Sequence, residues 1–393
     1  MNPRKVTDGV FFVGAPDWDR RLFDALIPLP EGTSYNAYLI TGQEKTALID
    51  TVDPTKWEVL KAYLEKVNNI DYVVIQHVEQ DHSGSLPMVL EKYPNAVVIA
   101  NSKAKELILT HLHVPEEKIQ VIEDGDKLDL GGLTLQFIFA PWVHWPETML
   151  TYLPERKLLF TCDFLGSHLA TSSLFIEDER LVYLGAKRYY AEIMSPFRNL
   201  IKGHLEKIKK LDIDMIAPSH GPIYQNPDFI IEAYEEWISD QPKNIVLLPW
   251  ISMHGSTQAM VEYLTSKLVE KGVEVQPYDI SKADLGELTM ATVDAATIIL
   301  AAPTILTNMH PMAELVAYWV SILRPKAKAY GFIGSYGWGG KTLETVKSLF
   351  SGIKADFFEP VLVKGLPTQT DYEALDKLAD AIVEKHRVLG LLP

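Results

Sequence analysis

The chain has 393 residues, 47% of them hydrophobic, enough for two or three packed domains with sizeable cores. A net charge of −15 repels phosphate-rich surfaces, which argues against nucleic acid or an anionic membrane as partner. The single cysteine excludes an intramolecular disulfide and any Cys-x-x-Cys metal site, and no signal pattern or run of about 18 apolar residues occurs, so a soluble cytoplasmic protein is expected.

In chain order, short β-branched runs at 36–39, 46–50, 72–75, 96–100, 134–139 and 157–160 read as strands, with helical patterns at 56–67 and 102–112 between them. Mixed sheets with helices outside are the natural packing for such a series. After Asp240-Gln241-Pro242 the rhythm changes to five strand-then-helix units, with strands at 245–251, 273–278, 296–302, 328–333 and 357–363. Apolar strands alternating with amphipathic helices predict a parallel sheet covered on both faces. The boundary is expected near Pro242, giving domains 1–241 and 242–393, and no internal repeat or low-complexity segment is visible.

The stretch QHVEQDHSG, residues 76–84, follows an apolar run and crowds two histidines and two carboxylates into six positions. His77, Glu79 and Asp81 are spaced by two, so an extended backbone directs all three the same way, and His82 follows at the expected start of a helix. His144 in APWVHWPE, Asp163 in LLFTCDF and His220 in APSHGP each follow another strand-like run. Four imidazoles and three carboxylates suffice for two metal ions sharing one carboxylate. His111, His113, His204 and His386 are read as ordinary structural histidines, and His168 as either packing or support for a ligand.

The second half opens with a buried strand and the turn SMHGST, residues 252–257, before a helix. Ser252, His254, Gly255, Ser256 and Thr257 place hydroxyls and backbone N–H groups at that helix N-terminus, where a phosphate is favoured. Two further loops, APTILTN at 302–308 and GSYGWGG at 334–340, end the third and fourth strands, where open α/β sheets bind ligands. From them Pro303, Thr304, Asn308, Ser335, Tyr336, Gly337, Trp338 and Gly339 are candidate cofactor contacts, the glycines permitting close backbone approach and the aromatics packing on a ring.

The pattern His-x-Glu-x-Asp-His followed by His, Asp and His resembles the metallo-β-lactamase fold in the variant carried by flavodiiron proteins, and the three later loops resemble a flavodoxin-like FMN site. The resemblance spans the whole chain. It implies an α/β architecture: an N-terminal αββα metallo-β-lactamase-like sandwich, then a flavodoxin-like doubly wound five-stranded parallel sheet. It also implies FMN and two iron ions, with His77, Glu79 and His144 on one iron, Asp81, His82 and His220 on the other, and Asp163 bridging. Zinc hydrolases of the fold usually carry His where Glu79 stands, and a carboxylate there favours iron. Cys162 neighbours Asp163 along a strand and is expected to face the opposite way, into the core, while Trp142 and Trp145 are expected to wall off water.

The implied activity is reduction of dioxygen to water, of nitric oxide to nitrous oxide, or of both, by electrons from a separate rubredoxin or a reduced deazaflavin. The implied assembly is a head-to-tail homodimer or a dimer of dimers. Two departures stand out: His254 replaces a frequent aromatic, and Leu306-Thr307 a frequent Asn-Asn pair. The rival readings are a zinc-dependent hydrolase with a flavodoxin-like appendage, which Glu79 disfavours, and an electron-transfer module whose metal half is structural.

Overall fold

The computed structural model describes every residue except Gly352 and divides into two compact units, Met1–Ile238 and Ser239–Pro393. In the first unit, strands β1 (Arg4–Thr7), β2 (Val10–Phe12), β3 (Tyr38–Thr41), β4 (Thr46–Ile49), β5 (Tyr72–Val74), β6 (Val97–Ala100) and β7 (Ile119–Val121) form one sheet in that order. The first four are antiparallel neighbours; from β4 to β7 the pairing is parallel. A second sheet follows in chain order: β8 (Lys127–Asp129), β9 (Thr134–Phe139), β10 (Met149–Leu153), β11 (Leu158–Cys162) and β12 (Met215–Pro218).

Period-two alternation sorts the side chains of the first sheet onto two buried faces. Tyr38, Ile40, Ile49, Val74 and Ile99 pack with Phe137, Met149, Leu158 and Phe160 of the second sheet, making the core between the sheets. Their neighbours Leu39, Leu48, Val73 and Val98 pack on the opposite face with Leu60, Val89 and Ile108 from the helices Trp57–Leu64, Leu86–Lys92 and Ser102–His111. Each such fully buried aliphatic side chain contributes about 1.5–3 kcal/mol, so both faces favour this register strongly. This is the αββα sandwich.

The second unit has the parallel strands β13 (Lys243–Trp250), β14 (Glu274–Asp279), β15 (Ala295–Ile305) and β16 (Ala329–Tyr336), ordered β14-β13-β15-β16. The fifth strand comes in two pieces, Asp356–Phe357 and β17 (Val361–Lys364), both parallel to β16 and separated around Pro360, which has no N–H to give a ladder. One face of the sheet packs Leu247, Ile298 and Leu300; the other packs Val246, Leu248, Ile299 and Ala301. Helices on both faces complete a doubly wound fold. Among the described residues no helix is long and apolar enough to cross a membrane.

Candidate metal centre and cofactor groove

The ligand candidates sit where strands of the first unit run out. Beyond β5 the chain bends at Gln76 and reaches Glu79 (φ −55°, ψ 146°) without helix, and Gln80–Ser83 then makes one helical turn. Asp50, at φ 53°, anchors this exit: its carboxylate oxygens accept from the backbone N–H and the Nε2 of Gln76, both at 2.8 Å. Burial pushes its pKa up to about 6 against the opposing charge of His82. Thr51 holds the turn by donating its N–H (2.7 Å) and hydroxyl (2.6 Å) to the His82 carbonyl. The expected like-facing trio is therefore corrected. Alternation governs His77 and Glu79, but the helix starts at Gln80, ahead of Asp81, which departs with His82 toward a second group.

Ligand atoms of His77, Glu79, His144 and Asp163 lie within 4.8 Å of one another, and so do those of Asp81, His82 and His220. Asp163, immediately after β11, faces both groups. Its Oδ2 is 3.4 Å from His77 Nε2 and 3.2 Å from His144 Nε2, whereas its Oδ1 is 2.9 Å from His82 Nε2 and 3.2 Å from His220 Nε2. Glu79 Oε2 closes the first group at 3.1 Å from both His77 and His144 Nε2. Asp81 closes the second, with Oδ2 3.2 Å from His220 Nε2 and Oδ1 3.3 Å from His82 Nε2. Only Glu79 and His144 reach solvent, each side chain being 15% exposed.

Several of these short separations are not hydrogen bonds. Among the described residues, both oxygens of Asp81, both nitrogens of His82 and Asp163 Oδ1 make none, although all are buried. A buried polar atom left so costs about 1–3 kcal/mol, and this many in one place require another partner. Oxygen and nitrogen atoms that converge without pairing are a donor set for cations, so the residues fit a pair of metal ions.

The electrostatics agree. Burial would lower the pKa of His77, but hydrogen bonds to Glu147 and Glu79 and the charge of Asp163 hold it well above the usual value. Against the same burial, Asp163 and Glu79 push His144 up to about 9, and Asp163 and Asp81 push His220 up to about 10. Burial would raise Asp163, yet the imidazoles of His82, His144 and His220 hold it well below the carboxylate range. Protons therefore occupy positions for which a metal competes.

His220 donates Nδ1–H to the Ser34 carbonyl at 2.6 Å, and Asn36 Nδ2 donates to the carbonyls of Pro218 and Gly221, both at 2.8 Å. Gly221 is required in this turn: its φ is +82°, and a Cβ there would lie 2.1 Å from Ser167 Oγ. His168 joins neither group. Its Nδ1 is 2.9 Å from Thr33 Oγ1, its ring packs on His220 and Tyr189, and burial together with the charge of His220 keeps it neutral. His204 donates to the Pro141 carbonyl (2.9 Å), steadying the loop ahead of His144, and His386 is held between Asn244 and Thr297. Neither His111 nor His113 falls in a candidate group.

Cys162 is buried as expected but does not face away. The register of β11 slips between Phe160 and Cys162, and Cys162 has φ 51°, so alternation fails and its Sγ comes within 4.8 Å of ligand atoms of His82 and Asp163. Burial, reinforced by Asp50 and Asp163, pushes the thiol well up, so it is a neutral neighbour. Trp145 packs edge-on against His77 with ring centres 5.0 Å apart. Trp142 is 45% exposed and stacks on Phe197. The sequence reading passed over Asp50, Ser34 and Glu147, although Glu147 stands three residues after His144.

In the second unit, His254, Ser256, Pro303, Thr304, Ser335, Tyr336 and Gly337 line one cavity of about 180 Å³ with Met253 and Gly365, which the sequence reading had not included. Gly255 (φ 86°) caps the helix Ser256–Glu270 without any side-chain cap bond, leaving the terminal N–H groups clear of a competing side-chain acceptor. Ser252 Oγ accepts from Gly255 N at 3.1 Å, and Thr257 and Ser335 share a hydroxyl contact at 2.9 Å. Gly337 and Gly339 have open space where a Cβ would stand. Asn308 is engaged by the Thr345 hydroxyl at 2.8 Å, and Trp338 is 72% exposed. The volume is too small to enclose a whole flavin nucleotide; as an open groove beside a free helix N-terminus it fits the phosphate-bearing end of one.

The family described as "ODP family beta lactamase" matches residues 33–221. A nitric oxide reductase of Moorella thermoacetica is 36% identical over 97% of this chain and 99% of its own length. The structure of rubredoxin oxygen:oxidoreductase from Desulfovibrio gigas superposes with a TM-score of 0.94 at 30% identity, covering 99% of both chains. That of the flavodiiron protein from Giardia intestinalis gives 0.90 at 28% identity, covering 100% of this chain and 99% of the other.

Proposed function

The chain belongs to the flavodiiron protein family and is an oxidoreductase, and on that premise we propose that it reduces dioxygen to water, nitric oxide to nitrous oxide, or both, at a diiron site supplied with electrons through FMN. The observation that carries this reading is Asp163, whose two oxygens address two separate nitrogen and carboxylate groups. Residues 1–241 form the metal domain and residues 242–393 the flavin domain in this proposal.

Bound there, FMN would supply electron uptake singly or in pairs and release one at a time, and ferrous iron would supply reducing power toward a diatomic molecule. His77, Glu79 and His144 would hold one metal and Asp81, His82 and His220 the other, with the Asp163 carboxylate offering one oxygen toward each group. Three carboxylates offset the cationic charge within a buried pocket. The Ser34 carbonyl fixes the Nδ1–H tautomer of His220, so Nε2 points inward. Trp145 shields His77 from bulk water. In the other unit, the clear helix N-terminus at Ser256 and the hydroxyls of Ser252, Thr304 and Ser335 receive the phosphate and ribityl chain, while Tyr336 and Trp338 border the ring.

The donor in this reading is a separate rubredoxin or a reduced deazaflavin. The working assembly is a head-to-tail homodimer or a dimer of dimers, in the cytoplasm. The test is to reduce protein of measured iron and FMN content anaerobically and mix it in parallel with dioxygen and with nitric oxide, using each donor in turn. Turnover of either gas in proportion to the iron content is the expected result. Stoichiometric zinc with ester or thioester hydrolysis and no gas consumption overturns it.

A further inference from the structure

We infer that Glu147 is the positioning residue of the first metal position: buried behind His77, it locks that imidazole with Nε2 toward the metal and makes the two halves of the site electronically unlike. The inference rests on the metal reading above and concerns a residue outside the seven ligands.

Glu147 Oε1 lies 2.7 Å from His77 Nδ1 and accepts the Val78 backbone N–H at 3.1 Å. An ionised carboxylate can only accept, so Nδ1 carries a proton, and once a metal displaces the second proton, on Nε2, the lone pair there is the one free to bind it. That Nε2 is the atom facing Glu79 Oε2 and Asp163 Oδ2. Glu147 is 1% exposed, and the hydrogen bonds of His77 and Val78 hold its carboxyl below its usual pKa against the cost of burial. A buried anion therefore points at the back of one metal-facing imidazole.

Its setting is rigid. The backbone carbonyl of Glu147 accepts from Asn101 Nδ2, and Asn101 Oδ1 in turn caps the helix Ser102–His111 through Ala104 N at 2.9 Å. Two residues on, Met149 N donates to the Gln76 carbonyl at 3.0 Å, tying the start of β10 to the residue before His77. The chain thus clamps carboxylate and imidazole from both sides. His220, the equivalent imidazole of the second group, has neutral groups behind its Nδ1, the Ser34 carbonyl and, at 3.4 Å, the Thr33 hydroxyl. A carboxylate raises the basicity of the imidazole it accepts from more than an amide carbonyl does. The position at His77 is consequently the more electron-rich of the two.

The experiment uses the full-length protein. Anaerobic ferrous-ion titration and Mössbauer spectra are compared for wild type, Glu147→Gln and Glu147→Asp, after circular dichroism confirms folding. Gln keeps the shape and an acceptor oxygen but removes the charge. The expected result is a loss of about 10- to 100-fold in affinity for one of two ferrous ions, a changed quadrupole doublet for that iron alone, and partial recovery in the Asp variant. Glu147→Gln protein with wild-type affinity and both wild-type doublets overturns the inference; should that variant not fold, the Asp variant decides on the same readouts. Wild-type protein that takes up no iron removes the metal reading itself, and this inference with it, so the two failures are distinguishable.

Discussion

At the scale of single residues, Asp163 separates one shared site from two neighbouring ones. With Oδ1 toward His82 and His220 and Oδ2 toward His77 and His144, its carboxylate faces both groups. Asp163→Ala is expected to abolish binding of both metals, whereas His144→Ala weakens chiefly one; metal content after gel filtration of folded protein reads the difference. Proton linkage gives a second expectation. In the metal-free chain His144 is raised to about 9 and His220 to about 10, so at neutral pH both carry protons that a metal must displace. Metal uptake should release protons, and affinity should rise roughly tenfold per pH unit for each proton displaced, levelling off near pH 9–10. The same raised values stabilise the metal-free fold below pH 6.5, a contribution lost as pH climbs through 9 to 10. Affinity measured at several pH values in weakly buffered solution, with the proton release recorded, checks both. The residues of the two candidate groups were legible from spacing in QHVEQDHSG and from three isolated strand-end residues. Their division came from the family resemblance and not from spacing, because the start of the Gln80–Ser83 helix and the left-handed φ of Cys162 decide which way side chains point, and periodicity does not see either.

At the scale of elements, what reads well from sequence is what two buried faces impose. The runs at 46–50, 72–75 and 96–100 emerge as β4, β5 and β6 within a residue or two, since a slip by one would exchange the inter-sheet core for the helix-covered face. The last strand was read as one run, 357–363, but Pro360 divides it. Loop conformation is harder. Leu306 and Thr307 occupy φ 48° and 66°, a pair of left-handed positions where Asn is far more at ease than a β-branched residue, which accounts physically for the Asn-Asn that relatives were expected to carry there. The turn before Ser256–Glu270 likewise needs Gly255 at φ 86°, and open space surrounds its absent Cβ. Gly255→Ala therefore meets no neighbour and acts through backbone strain, roughly 1–2 kcal/mol. It should weaken FMN binding by about tenfold or more while leaving the iron content unchanged. Flavin fluorescence titration of the stripped protein, with iron assayed on the same sample, reads this; tighter or equal FMN binding would place the phosphate elsewhere.

At the scale of the whole molecule, the chain carries two self-contained units, each with its own core and its own candidate site. The change of rhythm at Pro242 announced two architectures, because a parallel sheet covered on both sides demands apolar strands between amphipathic helices and the first half does not show that alternation. How electrons pass from one kind of site to the other is a matter of assembly, and no periodicity encodes it. The division of labour is nonetheless testable, because each cofactor can be removed alone. Protein stripped of FMN but retaining iron should keep its metal spectrum and, once its iron has been chemically reduced, consume a single charge of nitric oxide or dioxygen set by the iron content. It should then fail to turn over with reduced rubredoxin or deazaflavin, and added FMN should restore steady turnover in proportion to flavin bound. Iron-free protein retaining FMN should behave oppositely: the flavin reduces readily with the donor, yet nitric oxide consumption stays at background. If flavin-free protein sustained donor-driven turnover at the full rate, the second unit would be no electron relay and the chemistry would belong to Met1–Ile238 alone.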